Sequence, residues 1–125
     1  MLEKSYDTVK IKSLDKNKVL RELKRVARGI IKKDQAVVEI SLFGSLAKGD
    51  YTGSSDADIL IVLKNDSKRF IDRIPHYLGQ FLQADVPVDV FPYTLSELEE
   101  LGKGKNPFIK RIQDEKIILS KRTAG

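Results

Sequence analysis

The sequence contains no cysteine and no tryptophan, and it has one histidine among its 125 residues. Without cysteine the chain can form neither a disulfide nor a thiolate metal site, which fits a cytoplasmic protein. No apolar run reaches the roughly 18 residues that a membrane-spanning helix needs. The N-terminal segment, MLEKSYDTVK, lacks the apolar stretch of a signal peptide. We therefore expect a cytoplasmic protein with no membrane partner.

Basic side chains are in excess, with 23 Lys and Arg against 18 Asp and Glu, for a formal net charge of +5. This excess favours anionic partners such as nucleotides, nucleic acids or an acidic protein surface. A lysine-rich solvated surface explains the charge equally well, and we interpret the basic residues near the C-terminus in that way. They are Lys103, Lys105, Lys110, Arg111, Lys116, Lys121 and Arg122.

Apolar periodicity divides the chain into alternating helices and strands. The spacing predicts a helix over 14–33 and another over 70–82, which Pro75 should kink or restart. A Thr94–Glu97 capping box precedes the helix SELEEL, and Asn106-Pro107 begins the helix PFIKRIQ. The predicted strands are AVVEISLF, DADILIVL, VPVDVFPY and KIIL, with TVKIK as a further short edge strand.

At this length the chain predicts one domain over 1–125. Helices that alternate with strands indicate an α/β or α+β class, with a small mixed central sheet flanked by helices. Periodicity alone leaves the order of the strands open.

Two carboxylates stand at the entrance of the most hydrophobic strand. Asp56 and Asp58 are two residues apart, so in a strand their side chains point to the same face and Ala57 points to the other. Like charges near a core repel each other unless a cation neutralises them, and oxygen ligands suit Mg²⁺. An Asp-x-Asp sequence alone is more common in turns and helix caps.

A third carboxylate, Asp89, lies between Val88 and Val90 in an otherwise apolar strand. If that strand lies beside DADILIVL, Asp89 can face the same pocket as Asp56 and Asp58. Three carboxylates could then hold two metal ions, which activate an attacking oxygen and stabilise the leaving one. A salt bridge at the edge of the sheet is the alternative interpretation of Asp89.

Gly44-Ser45 follows a predicted strand and is predicted to open a short helix. Backbone N–H groups at such a junction bind anions, and glycine allows a phosphate to approach closely. Ser45 can add a hydroxyl donor and Lys48 a positive charge. A tight turn that binds nothing is the ordinary interpretation of a single Gly-Ser pair.

Together these motifs resemble the DNA polymerase beta-type nucleotidyltransferase superfamily, and the short chain resembles its minimal nucleotidyltransferase (MNT) branch. The resemblance covers roughly residues 37–91. Ten residues separate the Gly-Ser pair from Asp-x-Asp, and a strand aspartate comes later. The resemblance is carried by four segments: Phe43-Gly44-Ser45, Ala47-Lys48-Gly49, Ser55-Asp56-Ala57-Asp58 and Val88-Asp89-Val90.

The resemblance implies transfer of a nucleoside monophosphate from an NTP, such as AMP from ATP, to a hydroxyl, with release of pyrophosphate. It implies that Asp56 and Asp58 bind two Mg²⁺ ions, and that Asp89 completes one metal site and helps to deprotonate the acceptor. Nucleotide contacts would come from Gly44, Ser45, Lys48 and Ser55. Many relatives carry a basic residue directly after Gly-Ser, where this chain has Leu46.

The acceptor is not determined by these residues. MNT proteins often pair with a HEPN-domain toxin, which some of them inactivate by attaching AMP to a tyrosine. A non-catalytic antitoxin-like module that silences its partner by contact is the main alternative. Nucleotidylation of a small molecule, such as an aminoglycoside, is a third possibility that dimerisation could support.

Overall fold

The computed structural model describes residues 16–48, 56–84 and 86–123, without the side chain of Ser45. The predicted strand TVKIK and the predicted helix start at Leu14 lie outside these ranges. The described helices are α1 (Lys16–Lys33), α2 (Ser45–Lys48), α3 (Phe70–Leu78), α4 (Leu95–Lys103) and α5 (Pro107–Glu115), with a 3₁₀ turn at Gly79–Phe81. The strands are β1 (Val37–Phe43), β2 (Ala57–Leu63), β3 (Val88–Thr94) and β4 (Ile117–Lys121).

The four strands form one sheet in the order β3-β2-β1-β4. β1 pairs antiparallel with both β2 and β4, whereas β2 and β3 run parallel. The predicted mixed sheet is therefore confirmed. β3 contains Pro92, which an edge strand tolerates because one side of its backbone needs no sheet partner.

The central strands β1 and β2 are buried on both faces, because helices cover each side of the sheet. On one side α1 packs its predicted apolar stripe against the sheet, together with Tyr77 and Phe81. On the other side Leu60 and Val62 of β2 pack with Ile112 of α5 and Leu98 of α4. None of the described helices is long and apolar enough to cross a bilayer.

Of the two effects expected of Pro75, a kink or a restart of its helix, the restart does not occur. Pro75 lies inside α3, which continues to Leu78 before it tightens into the 3₁₀ turn. Proline removes one backbone hydrogen bond, but Arg73 and Tyr77 on the buried side of α3 stay packed against the rest of the chain. Tertiary packing therefore compensates for the lost helical hydrogen bond.

The interpretation of the C-terminal basic residues as a solvated face is wrong for at least two of them. Lys116 donates to the buried carboxylate of Glu39 at 2.8 Å, and Ser41 donates to the same oxygen at 2.7 Å. Arg122 donates to the carbonyl oxygens of Val37 and Asp34, which ties the strand end to the end of α1. These cations stabilise the fold.

Arg73 joins α3, β3 and α4 through its buried side chain, of which only 3% is exposed. It donates to both carboxylate oxygens of Glu97, at 2.7 and 3.0 Å, and to the carbonyl oxygen of Pro92 at 3.0 Å. Glu97 also accepts from the backbone N–H of Thr94, which completes the predicted capping box. The hydrogen bond from Arg73 holds the pKa of Glu97 below its usual value.

Replacing Glu97 with Gln should lower the free energy of unfolding by about 1–3 kcal/mol, because the buried Arg73 then loses its paired counter-charge and keeps only the more distant Asp66, 4.0 Å away, among the described acids. Since the pKa of Glu97 is lowered in the folded state, its contribution is fully present at neutral pH. It is lost as the pH falls through that lowered pKa. Urea unfolding should thus separate wild type from Glu97→Gln most at pH 7, and the difference should shrink as the pH falls below 4.5, the ordinary pKa of this side chain.

Glu99→Gln is the matched control, because Glu99 lies on the same helix and forms an exposed ion pair with Lys103, with its side chain 72% exposed. An exposed pair of this kind contributes little. Equal unfolding of the two variants at pH 7 would contradict the role given to Arg73 and Glu97.

Candidate active site

The predicted glycine turn is present at the end of β1. Gly44 has a φ of +82°, a backbone conformation that side chains other than glycine rarely adopt. A Cβ atom placed on Gly44 would lie 2.3 Å from Oδ2 of Asp58. Glycine is therefore required here both by the backbone conformation and by the close approach of the Asp58 carboxylate.

The register of the sheet brings two of the three predicted carboxylates side by side. Asp58 is opposite Phe43 of β1 on one side and opposite Asp89 of β3 on the other. Ala57 belongs to the core beneath α1, so Asp58 points to the opposite face of the sheet, as predicted. Asp56 directly precedes β2 and is exposed, and so is Asp89.

The electrostatic environment of Asp58 favours a bound cation. Burial raises the pKa of the half-buried Asp58, and the negative charges of Asp89 and Asp56 raise it further. The positive charge of Arg111 acts in the opposite direction. Carboxylates that repel one another in this way are stabilised by a divalent ion.

The donor chemistry fits Mg²⁺, although the ligands are not drawn together. Within the described ranges, no group of three or more His, Asp or Glu side chains is arranged to hold a metal ion. Mg²⁺ is commonly held by one or two carboxylates plus substrate phosphates and water. The pair of Asp58 and Asp89 at the end of two strands meets that requirement, and Asp56 lies next to the pair.

The predicted phosphate-binding residues are described only in part. Ser45 begins α2 directly after Gly44, and the N–H of Lys48 donates to the carbonyl oxygen of Gly44 at 3.1 Å. The ammonium of Lys48 is 3.9 Å from the carboxylate of Glu115. Ser55 lies outside the described residues. The nucleotide contacts assigned to Ser45, Lys48 and Ser55 stay predictions.

Sequence reasoning missed two charged residues on α5 that belong to this neighbourhood. Arg111 has its Nε 3.4 Å from Oε1 of Glu115, and Glu115 also faces Lys48. Phe108 of the same helix contacts Phe43, the residue before Gly44. The spacing of Phe108, Arg111 and Glu115 by three and four residues places them on one side of a helix, and that spacing was the available signal.

The comparisons with known proteins identify the family of the chain. A family model described as a nucleotidyltransferase domain matches residues 23–119. "Putative protein adenylyltransferase MJ0128" from Methanocaldococcus jannaschii is 33% identical over 99 residues, which are 79% of this chain and 92% of that protein. "Putative protein adenylyltransferase MJ0604" from the same organism is 46% identical over 63 residues, 47% of this chain and 57% of that protein.

Among solved structures, a nucleotidyltransferase from Sulfolobus solfataricus, itself described as putative, superposes with a TM-score of 0.60 at 25% identity. The superposition covers 88% of this chain and 86% of the other. The fold and the sequence relatives thus define an enzyme class that transfers nucleotidyl groups. The chain belongs to the nucleotidyltransferase domain family.

Proposed function

We propose that the chain uses Mg²⁺ to transfer the nucleoside monophosphate of an NTP, AMP from ATP, to a hydroxyl of a partner protein. We further propose that the partner is a HEPN-type toxin, which the modification inactivates. A relative that matches 79% of this chain is named "Putative protein adenylyltransferase MJ0128", and this name supports a protein acceptor. The toxin class rests on the resemblance to MNT antitoxins.

One observation carries the proposal. Asp58 and Asp89 are direct neighbours on parallel strands, and the Asp58 carboxylate fills the space where Gly44 would carry a Cβ atom. A nucleotide phosphate bound at the backbone of the Gly44 turn would thus be next to the two acids. Transfer of a phosphoryl group needs this combination of positioning and charge neutralisation more than covalent chemistry by the protein.

The proposed metal ligands are the three aspartates: Asp56 and Asp58 would hold both Mg²⁺ ions, and Asp89 would complete one of the two sites. Bound there, Mg²⁺ would neutralise charge on the phosphates and on the leaving pyrophosphate. The backbone of Gly44, Ser45 and the side chain of Lys48 would orient the triphosphate.

In the proposed reaction the acceptor hydroxyl oxygen forms a bond to the α-phosphorus of the NTP. The bond from that phosphorus to the oxygen bridging the α- and β-phosphates breaks, and pyrophosphate leaves with that electron pair. The hydroxyl proton passes to the Asp89 carboxylate, which lies at the exposed end of β3. Asp89 acts as a general base in this step.

The test is incubation with ATP labelled at the α-phosphate, Mg²⁺ and the product of the neighbouring gene. Wild type should label that partner, and Asp56→Asn and Asp58→Asn should each reduce the rate of labelling by about 100-fold or more. A partner that stays unlabelled but binds wild type and both variants equally would contradict the enzymatic proposal and support silencing by contact. Labelling at the wild-type rate in both variants would contradict the assignment of the site.

A further inference from the structure

The residue that follows Gly44-Ser45 is a core residue rather than a cation. Leu46 on α2 is fully buried and packs with the side chains beneath α1. A charged side chain at this place would be removed from water without a partner, which is strongly unfavourable. Lys48 is the one basic residue of α2, so further positive charge for a bound triphosphate would come from another element.

Helix α5 is held against the end of the sheet where the aspartates lie. Phe108 contacts Phe43 edge-to-face with the ring centroids 5.4 Å apart, and it contacts Phe91 at 5.5 Å. Phe43 directly precedes Gly44, and Phe91 is two residues beyond Asp89 on the same face of β3. The aromatic contacts therefore fix the first turn of α5 beside the glycine turn and the carboxylates.

Arg111 is one helical turn beyond Phe108, on the same side of α5. Its Nε lies 3.4 Å from Oε1 of Glu115, and the other oxygen of Glu115 lies 3.9 Å from the ammonium of Lys48. The Glu115 side chain, which is 16% exposed, thus lies between the cation of Arg111 on α5 and the cation of Lys48 on α2. Lys48 is the basic residue that the sequence motif already assigns to the nucleotide.

The guanidinium of Arg111 is available to a ligand. Its side chain is 51% exposed, and among the described residues it makes no hydrogen bond, since its contact with Glu115 is an ion pair only. A guanidinium presents several N–H groups in one plane and binds phosphate oxygens in pairs. Its charge also reaches Asp58, so it lies within electrostatic range of the proposed metal ligands.

We propose that Arg111 binds the β- and γ-phosphates of the NTP and supplies a second cation beside Lys48. Glu115 is the positioning residue that holds Arg111 and Lys48 beside each other. This inference rests on the proposed function, because it concerns the nucleotide of that same site.

The experiment measures binding of α,β-methylene-ATP and of AMP by calorimetry, in the presence of Mg²⁺, to wild type and variants. Arg111→Ala should weaken binding of the triphosphate about 10- to 100-fold, because charge-assisted hydrogen bonds to phosphate are lost. Binding of AMP should be unchanged, and Arg111→Lys should recover part of the triphosphate affinity. Lys110→Ala is the control, since Lys110 directly precedes Arg111 on the same helix and its side chain is exposed.

Two failures are distinguishable. If wild type binds neither nucleotide, both the proposed function and the role of Arg111 are overturned. If wild type binds the triphosphate and Arg111→Ala binds it equally well, only the role of Arg111 is overturned. An equal loss for AMP and the triphosphate also overturns the assignment to the β- and γ-phosphates. Thermal unfolding is measured for each variant, because Arg111→Ala leaves the largely buried Glu115 with Lys48 as its counter-charge. Arg111→Lys keeps the charge and therefore separates a loss of stability from a loss of phosphate binding.

Discussion

Gly44→Ala should abolish nucleotidyl transfer and lower the free energy of unfolding by about 1–3 kcal/mol. Alanine is strained at a φ of +82°, and its Cβ would collide with Oδ2 of Asp58 at 2.3 Å. Relief of that collision requires movement of Asp58, which is the acid paired with Asp89. Activity is measured by transfer of label from the α-phosphate, and stability by urea unfolding.

Gly29→Ala is the matched control for this substitution. Gly29 lies inside α1, and a Cβ atom there would meet nothing within 4 Å. Alanine in a helix is more favourable than glycine, so this variant should gain about 0.5–1 kcal/mol and keep full activity. If Gly44→Ala retains activity, the close approach of the turn to Asp58 has no part in catalysis.

Asp58→Asn should reduce the rate of transfer by about 10²- to 10³-fold or more, because a charged ligand and its electrostatic effect are both lost. The same change should leave the melting temperature equal to or above that of wild type. Burial and the neighbouring Asp89 and Asp56 raise the pKa of Asp58, so its ionised form opposes folding at neutral pH. A neutral amide of the same size removes that repulsion.

Asp114→Asn serves as the control, since Asp114 is exposed on α5. It should change neither activity nor melting temperature. A clear fall in the melting temperature of Asp58→Asn would indicate that Asp58 is a structural residue. That result would contradict the account of Asp58 as a functional carboxylate held at the expense of stability.

The alternation of apolar and polar residues predicted much of this site. Strand parity placed Asp58 and Ala57 on opposite faces, and the structure confirms it. The neighbouring positions of Asp58 and Asp89 required the additional assumption that their strands pair, which the parallel register confirms. Local signals were equally informative at the helix caps formed by Thr94 and Asn106.

Contacts between distant parts of the chain could not be predicted from local sequence patterns. Arg73 and Glu97 are 24 residues apart, and Lys116 and Glu39 are 77 apart, so no local pattern marks either pair. The burial of Leu46 likewise depends on how α2 packs against the sheet. Sequence alone does not distinguish a solvated basic residue in a charged segment from one that forms an ion pair with a distant acid.

The most direct measurement of the central claim uses Mn²⁺ as a paramagnetic substitute for Mg²⁺. With an α,β-methylene ATP analogue present, Mn²⁺ should broaden the backbone amide NMR signals of Gly44, Asp58 and Asp89 first. The same titration of Asp58→Asn should leave those signals sharp at equal metal concentration. Broadening centred instead on the exposed acids of α4, Glu99 and Glu100, would contradict a metal-dependent nucleotide site between the glycine turn and the paired aspartates.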